Sequence, residues 1–586
     1  MESFLETVFY CLLGCYCCKK IKIKKIMRKI KLIVFVFGLI GLCTSVRAQE
    51  KFLEMIKDEM NKEFAELQKE KHAPYYMNFR AVDERRTFVM STFGAIMQSV
   101  KNHRRYLVPQ VRIGSPEYDN FTTREMGSGA GRGGPSVAQL SLNGESGEAA
   151  DRNAIWYETE SRYKVAVSAL QQALGNEQMF LQMSDKSPSL SKTKIEKYYE
   201  PQLPAEKLTI DREAWGKRLN EISSEFKKYP EIIEGAAHIE YNVLRTYFIS
   251  TEGAEIVHNL PYARIMVQAS TMADDGMRLP LHLSYFAYDP DNLPSNDSIM
   301  KDVNVIAKKL IALRTAPTVD PFSGPALMSG AASGVFFHEI FGHRTEGQRM
   351  KKDVDGQTFK DMIGKLVLPE GMSVADDPTL RYCAGTELNG YYKYDEQGVK
   401  AERVDVVIDG KMNDFLMTRT ALEGHARSNG HGRAVGGFDP VSRQSNLIIS
   451  IKDPRTEEEL RALLIEEIKK QNKEFGFYFK EVSGGFTQTG RMAINSFNVT
   501  PLEVYRVYAD GRPDELVRGL DMIGTPLAMF SNIVAAGGQV EVFTGMCGAE
   551  SGSIPVTAVS PCILVNRIEV QRVMNYKAIP PILERP

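Results

Sequence analysis

A chain of 586 residues is too long for one simple core, so two domains are expected, and a composition 43% apolar and 25% charged is that of a globular protein. The formal charge of -1 hides an asymmetry: nine basic side chains against Glu2 and Glu6 in the first 48 residues leave the rest of the chain at -8. An acidic body excludes nucleic-acid backbone binding as the main business of the chain.

The basic start has its own explanation. From Met27 the chain runs through Arg28-Lys29-Ile30-Lys31, an apolar stretch from Leu32 to Leu42, and Thr44-Ser45-Val46-Arg47-Ala48. A charged opening, a short apolar run and small residues before a break describe a secretory signal peptide over about 27–48, cleaved after Ala48. The run is short for a bilayer, so no stable membrane insertion is expected after cleavage, a retained anchor being the alternative. The expectation is therefore an exported protein, periplasmic or extracellular. Residues 1–26, with Cys11, Cys15, Cys17 and Cys18, read as an extension upstream of a misplaced start, since that spacing is wrong for a zinc knuckle. Beyond the leader stand Cys383, Cys547 and Cys562, enough for one disulfide and one thiol left over.

Residues 50–71 repeat apolar side chains at helical spacing (Phe52, Leu53, Ile56, Met60, Phe64, Leu67), and Met77 to Arg112 alternates as strands do. Gly129, Gly131 and Gly134 match G-x-G-x-x-G, but Pro135 follows and no helix opens, so a surface loop is expected rather than a dinucleotide site. Helices are expected over 152–175 and 212–228, with a polar connector over 187–204 between them. Two strands over 237–272 turn at Thr251-Glu252-Gly253, and a helix over 297–314 runs into the proline-containing stretch 316–321. The domain boundary is placed there, giving an N-terminal domain over 49–315 and a C-terminal domain over 316–586. The second domain opens with a strand near 326–328 and a helix, then continues mostly as strands with one more helix over 457–473.

The helix after that strand carries His338-Glu339-Ile340-Phe341-Gly342-His343, an HExxxH motif. A catalytic zinc needs three protein ligands, an open position for water and a base beside it. The spacing is awkward, because residues five apart on a regular helix differ in direction by about 140°. The extra residue must be absorbed by a π-type bulge or by loosening of the last turn, which the freedom of Gly342 would ease. Cys547, in the glycine-flanked turn Gly545-Met546-Cys547-Gly548, is open to two readings: a third ligand, or a disulfide with Cys562.

Several stretches together resemble the TldD/PmbA family of zinc metallopeptidases. They are Phe322-Ser323-Gly324-Pro325-Ala326, the run from His338 to Gly347, Ser373 to Leu380, Tyr394 to Val399, Asn429 to Arg433, and Gly545-Met546-Cys547-Gly548 with Gly552, Pro555 and Val556. They follow the family's order over roughly 230–566. The resemblance implies an α+β protein: an N-terminal α/β domain with helices on a sheet, and a C-terminal, mostly antiparallel β domain carrying the zinc-site helix. It implies one Zn2+ per chain on His338, His343 and Cys547, with Glu339 as general base on the water that the metal activates. The implied reaction is hydrolysis of peptide bonds in unfolded or extended peptides, with His431 and Arg433 as candidate substrate contacts. It also implies a homodimer, or a heterodimer with a TldD/PmbA-type paralogue. A non-catalytic, metal-stabilised binding or partner subunit is the alternative. The chain departs from the family in its export leader and its long insertions.

Overall fold

A computed structural model describes residues 51–122, 136–175, 185–351, 355–490, 496–525 and 529–573, together with 578 and 583. The expected leader and the Gly129–Gly134 loop lie outside the described residues. Residues Glu59–Pro586 form one compact unit. A helix over 51–67 (α1) opens the described chain. No helix among the described residues is long and apolar enough to cross a membrane.

Strands β1 (Pro74–Thr92), β2 (Ala95–Ile113), β3 (Ala138–Leu140), β4 (Lys197–Tyr199), β5 (Glu234–Ser250), β6 (Glu255–Met272) and β7 (Arg278–Ala287) make one sheet. Its order is β3-β2-β1-β5-β6, with both β4 and β7 on the far edge of β6. All its ladders are antiparallel except β4–β6. Three helices accompany the sheet: α2 (Glu148–Gly175), α3 (Arg212–Ser224) and α4 (Asn296–Thr315). α2 lies on β2 and β3.

The two faces of the sheet differ because strand side chains alternate. Ala237, Ile239, Tyr241 and Val243 of β5, with Ala263, Ile265, Val267 and Ala269 of β6, form a core with α3 and α4. Helix α4 answers with Ile299, Val303, Ile306, Leu310 and Leu313, buried at spacings of three and four, behind a Ser295 cap that accepts from the Ser298 N–H. Burying each such aliphatic side chain contributes about 1.5–3 kcal/mol. The other face of β6, carrying Arg264 and Met266, is left for a different purpose.

The second half forms an eleven-stranded sheet. Its strands are β8 (Phe322–Met328), β9 (Met372–Asp376), β10 (Val404–Ile408), β11 (Lys411–Met412), β12 (Asn446–Ile451), β13 (Phe475–Thr487), β14 (Phe497–Tyr508), β15 (Glu515–Val517), β16 (Leu520–Gly524), β17 (Ile533–Ala549) and β18 (Gly552–Arg572). The ladders run β11-β10-β9-β12-β18-β16-β14-β13-β8, and β8 then pairs back onto β18. Strands β18, β16, β14, β13 and β8 thus close on one another, which removes their free edges along the paired lengths. Most ladders are antiparallel; β12–β18 and β13–β8 are parallel. Helix α5 (Gly330–Ile340) follows β8 and packs on β18, β13 and β17, sharing a core with Phe477, Phe479, Phe497 and Ile563. Helix α6 (Glu457–Lys470) buries Leu460, Leu464 and Ile468 against Leu327 and Leu564. The architecture is the α+β one expected. Strand β7 and the closure of the second sheet are additions.

Candidate metal centre

Helix α5 exists to be buried. Ser329 caps it by accepting from the Ala332 N–H, and every residue of the helix but Ala331 is buried. It ends at Ile340; Phe341 takes φ -112 and ψ -57, and a 3-10 turn over Gly342–Arg344 begins anew. The five-residue spacing is closed by this loosened end: the rings of His338 and His343 come to 4.9 Å, inclined at 77°. Gly342 serves here in a way different from the flexibility expected of it. A Cβ at this position would stand 1.8 Å from Gln444 Oε1, so the glycine admits a close neighbour. Gln444 Nε2 in turn donates to the His338 carbonyl at 3.3 Å. The buried Arg344 guanidinium donates to the carbonyls of Glu339 (2.8 Å) and Ile340 (3.2 Å), which the early helix end leaves without intrahelical partners.

The third group arrives from β17. Cys547, opposite Ile554 in the β17–β18 hairpin, lays its Sγ 3.4 Å from His343 Nε2. The ligand atoms of His338, His343 and Cys547 all lie within 4.8 Å of one another, and all three side chains are buried. Tetrahedral bonds of about 2.0–2.3 Å set donor-to-donor edges near about 3.5 Å, so the trio can hold a metal ion of zinc's size and ligand taste. No disulfide competes, for Cys383, Cys547 and Cys562 are all unpaired. Cys562 packs at the edge of the α6 core, where burial, Glu541 and Glu457 push its thiol up to about 12.

Charge at the trio is strongly coupled. Burial pushes the Cys547 thiol up, but His343 and His338 reverse this and hold it well below its ordinary value. Burial lowers His343, yet Glu346 and Cys547 outweigh it and raise the imidazole to about 10. A metal that takes neutral imidazole and thiolate would therefore displace protons on entering. Glu339 is raised by burial against the opposing pull of the two imidazoles.

Glu346 was not foreseen. It is wholly buried, with Oε1 at 3.2 Å from His343 Nδ1 and Oε2 accepting from Arg349 Nε at 2.8 Å. A carboxylate on the outer nitrogen of a ligating imidazole fixes its tautomer and orientation. The cysteine is braced as well: Arg443 Nη2 donates to the Cys547 carbonyl at 2.6 Å.

The trio and Glu339 line a cleft of about 470 Å3. One wall is the segment 483–489, the other 543–550, and β6 and β7 face them with Arg264, Met266 and His282. The chain at Gly485 passes so close over Glu339 that a Cβ would meet its Cγ at 2.5 Å.

The two expected substrate contacts are not in this cleft. His431 is 0% exposed, with Nε2 3.2 Å from Asp376 Oδ1 and Nδ1 against Asn429, so no ligand can touch it and its role is to tie loops together. Arg433 donates to the carbonyls of Gln444 and Pro555, lies over the Tyr392 ring, and lines a separate cavity of about 370 Å3. Interior loop bonding took both residues.

Residues 323–572 match the family described as PmbA/TldA metallopeptidase C-terminal domain. A metalloprotease of Archaeoglobus fulgidus is 30% identical over 263 residues, covering 45% of this chain and 55% of that protein. Metalloprotease MJ0996 of Methanocaldococcus jannaschii is 29% identical over 232 residues, 39% of this chain and 47% of that one. The chain thus spans about half the length of the curated relatives it matches. In fold it resembles the crystal structure of TldE from Thermococcus kodakarensis, at a TM-score of 0.57 and 12% identity over 89% of this chain and 100% of that one. The matched residues, 323–572, are thus similar to the C-terminal domain of the PmbA/TldA metallopeptidase family.

Proposed function

We propose that this chain is a zinc metallopeptidase acting on unfolded or extended polypeptides, with one zinc per chain. The observation that carries the proposal is the meeting of His338, His343 and Cys547 beside Glu339 in an open cleft. Zinc bound there would supply a Lewis acid that polarises a carbonyl and lowers the pKa of a water towards about 7. Glu339 takes the proton of the attacking water and returns it to the leaving amine, and its raised carboxyl suits it to both transfers. Glu346 holds Nδ1 of His343 so that Nε2 is directed at Cys547.

The shape of the cleft supports an extended substrate. Along Glu481–Thr487, β13 is laddered only to β14, and from Val540 to Ala549 β17 is laddered only to β18 among the described residues. Both therefore offer a strand edge to the cleft, which a peptide can join by main-chain hydrogen bonds. At Met266, His282 and Ser483 the cleft runs on into a further cavity of about 880 Å3, room for residues beyond the scissile bond. Pairing with a second copy or with a paralogue of the same fold is part of the proposal, supported by the likeness to TldE.

Metal removal tests the reading. Dialysis against a strong chelator is expected to bring cleavage of an unfolded protein down to background, and one equivalent of zinc per chain is expected to restore it. Cleavage that persists in metal-free protein would remove the proposal.

A further inference from the structure

The wall of the cleft contributed by β6 and β7 carries chemistry that the metal site does not use. Alternation along β6 sends Ala263 and Ile265 into the helix-covered core and leaves Arg264 on the cleft side. Its guanidinium stands 5.7 Å from the Phe286 ring centroid, and its Nη2 is buried with no hydrogen-bond partner. Ser284, its diagonal neighbour across the β6–β7 ladder, also lines the cleft and has a buried, unbonded Oγ. Two such donors on one wall of the cleft are available to a ligand atom.

The other cation in the cleft is already spoken for. Arg349 lies between Glu346 and Glu550. Arg264 has no such partner: burial pulls its pKa down, and Glu240, the acidic group that counters this, is itself bound to Arg86. Among the described residues Arg264 makes no ion pair, for Glu240, opposite it across the β5–β6 ladder, pairs with Arg86 instead. A planar guanidinium in that state matches a carboxylate better than any other group a peptide can offer.

We infer that Arg264, with Ser284 beside it, anchors a carboxylate of the peptide substrate across the cleft from the metal ligands. This rests on the peptidase reading above and narrows its substrate class. Arg264 lies outside residues 323–572, so the C-terminal family pattern does not assign it. The carboxylate has two sources: the free C-terminus of a peptide cut near its end, or an Asp or Glu side chain near the scissile bond.

Three kinds of peptide separate these sources: a parent sequence with a free C-terminus, the same sequence amidated, and a set of amidated variants with Glu scanned around the cleaved bond. Zinc-loaded wild type is expected to prefer one carboxylate-bearing form over the plain amide by about 10- to 100-fold in kcat/KM, carried mainly by KM. Preference for the free acid identifies the C-terminus, and preference for one Glu position identifies a side chain. Arg264→Met should erase the preference, and Arg264→Lys, which keeps the charge but not the fork, should keep part of it. Equal turnover of all peptides by wild type, or a preference that survives Arg264→Met, overturns the assignment. Anisotropy of the same peptides, labelled at the N-terminus, on Glu339→Gln protein separates the two readings. Carboxylate-selective binding with no cleavage by wild type would keep Arg264 and remove the peptidase. Cleavage without selectivity in either assay would keep the peptidase and remove the role of Arg264.

Discussion

Glu339→Gln is expected to keep its zinc and to lose peptide cleavage by about 100- to 10,000-fold, the range that a positioned general base contributes. The substitution keeps the shape beneath Gly485, where the side chain is confined, and removes only the ability to take a proton. It leaves His338, His343 and Cys547 untouched, so metal content by atomic absorption should match wild type. A chain that retains zinc only for stability would give no cleavage in either form. Cleavage surviving in Glu339→Gln would show that another group acts as base.

Glu346→Ala is expected to be the most damaging single change near the centre that replaces none of the three metal ligands. It removes a wholly buried carboxylate from between His343, Arg349 and Arg443, which lies 3.8 Å away. Breaking such a buried charged network by deleting one member costs about 3–5 kcal/mol. Loss of the bond to His343 Nδ1 should separately weaken metal affinity by about 10- to 100-fold. Urea unfolding reads the first effect and competition with a zinc-binding dye reads the second. The milder Glu346→Gln should keep most of the stability and still lose metal affinity. An unchanged zinc affinity in both variants would mean that the carboxylate does not orient the ligand.

What the sequence makes legible follows from the range of the signals. His338, Glu339 and His343 stand within six residues, and their geometry is decided by one helix end, so the motif and its distorted turn can be read locally. Helix α4 is equally plain, since its buried residues keep a helical period and Pro317 stops it. Cys547 is different: no local pattern brings it to His343, because the contact needs β17 to pair along β18 over its whole length. The family's pattern supplied that ligand where spacing left a disulfide equally open. Glu346 carried a signal that went unused, three residues after His343 and just past the 3-10 turn that holds it.

Strand β7 was missed although Leu279, Leu281 and Leu283 alternate clearly, for Pro280 interrupts the run and edge strands tolerate proline. Its loss hid the part of the cleft wall that carries His282 and Ser284. His431 shows the opposite failure. A histidine in a glycine-flanked loop suggests an exposed contact, yet burial against Asp376 decides its role, and burial is a property of the whole fold.

The central claim is that two distant pieces of one chain, the end of α5 and the tip of β17, clamp a single zinc between them. Zinc content per chain in purified wild type, His338→Ala and Cys547→Ala measures it most directly. The account predicts one zinc in wild type and a severe loss in each variant after dialysis against a weak chelator. Full occupancy in Cys547→Ala would contradict it, leaving the cysteine beside the histidines but outside the metal's ligand set.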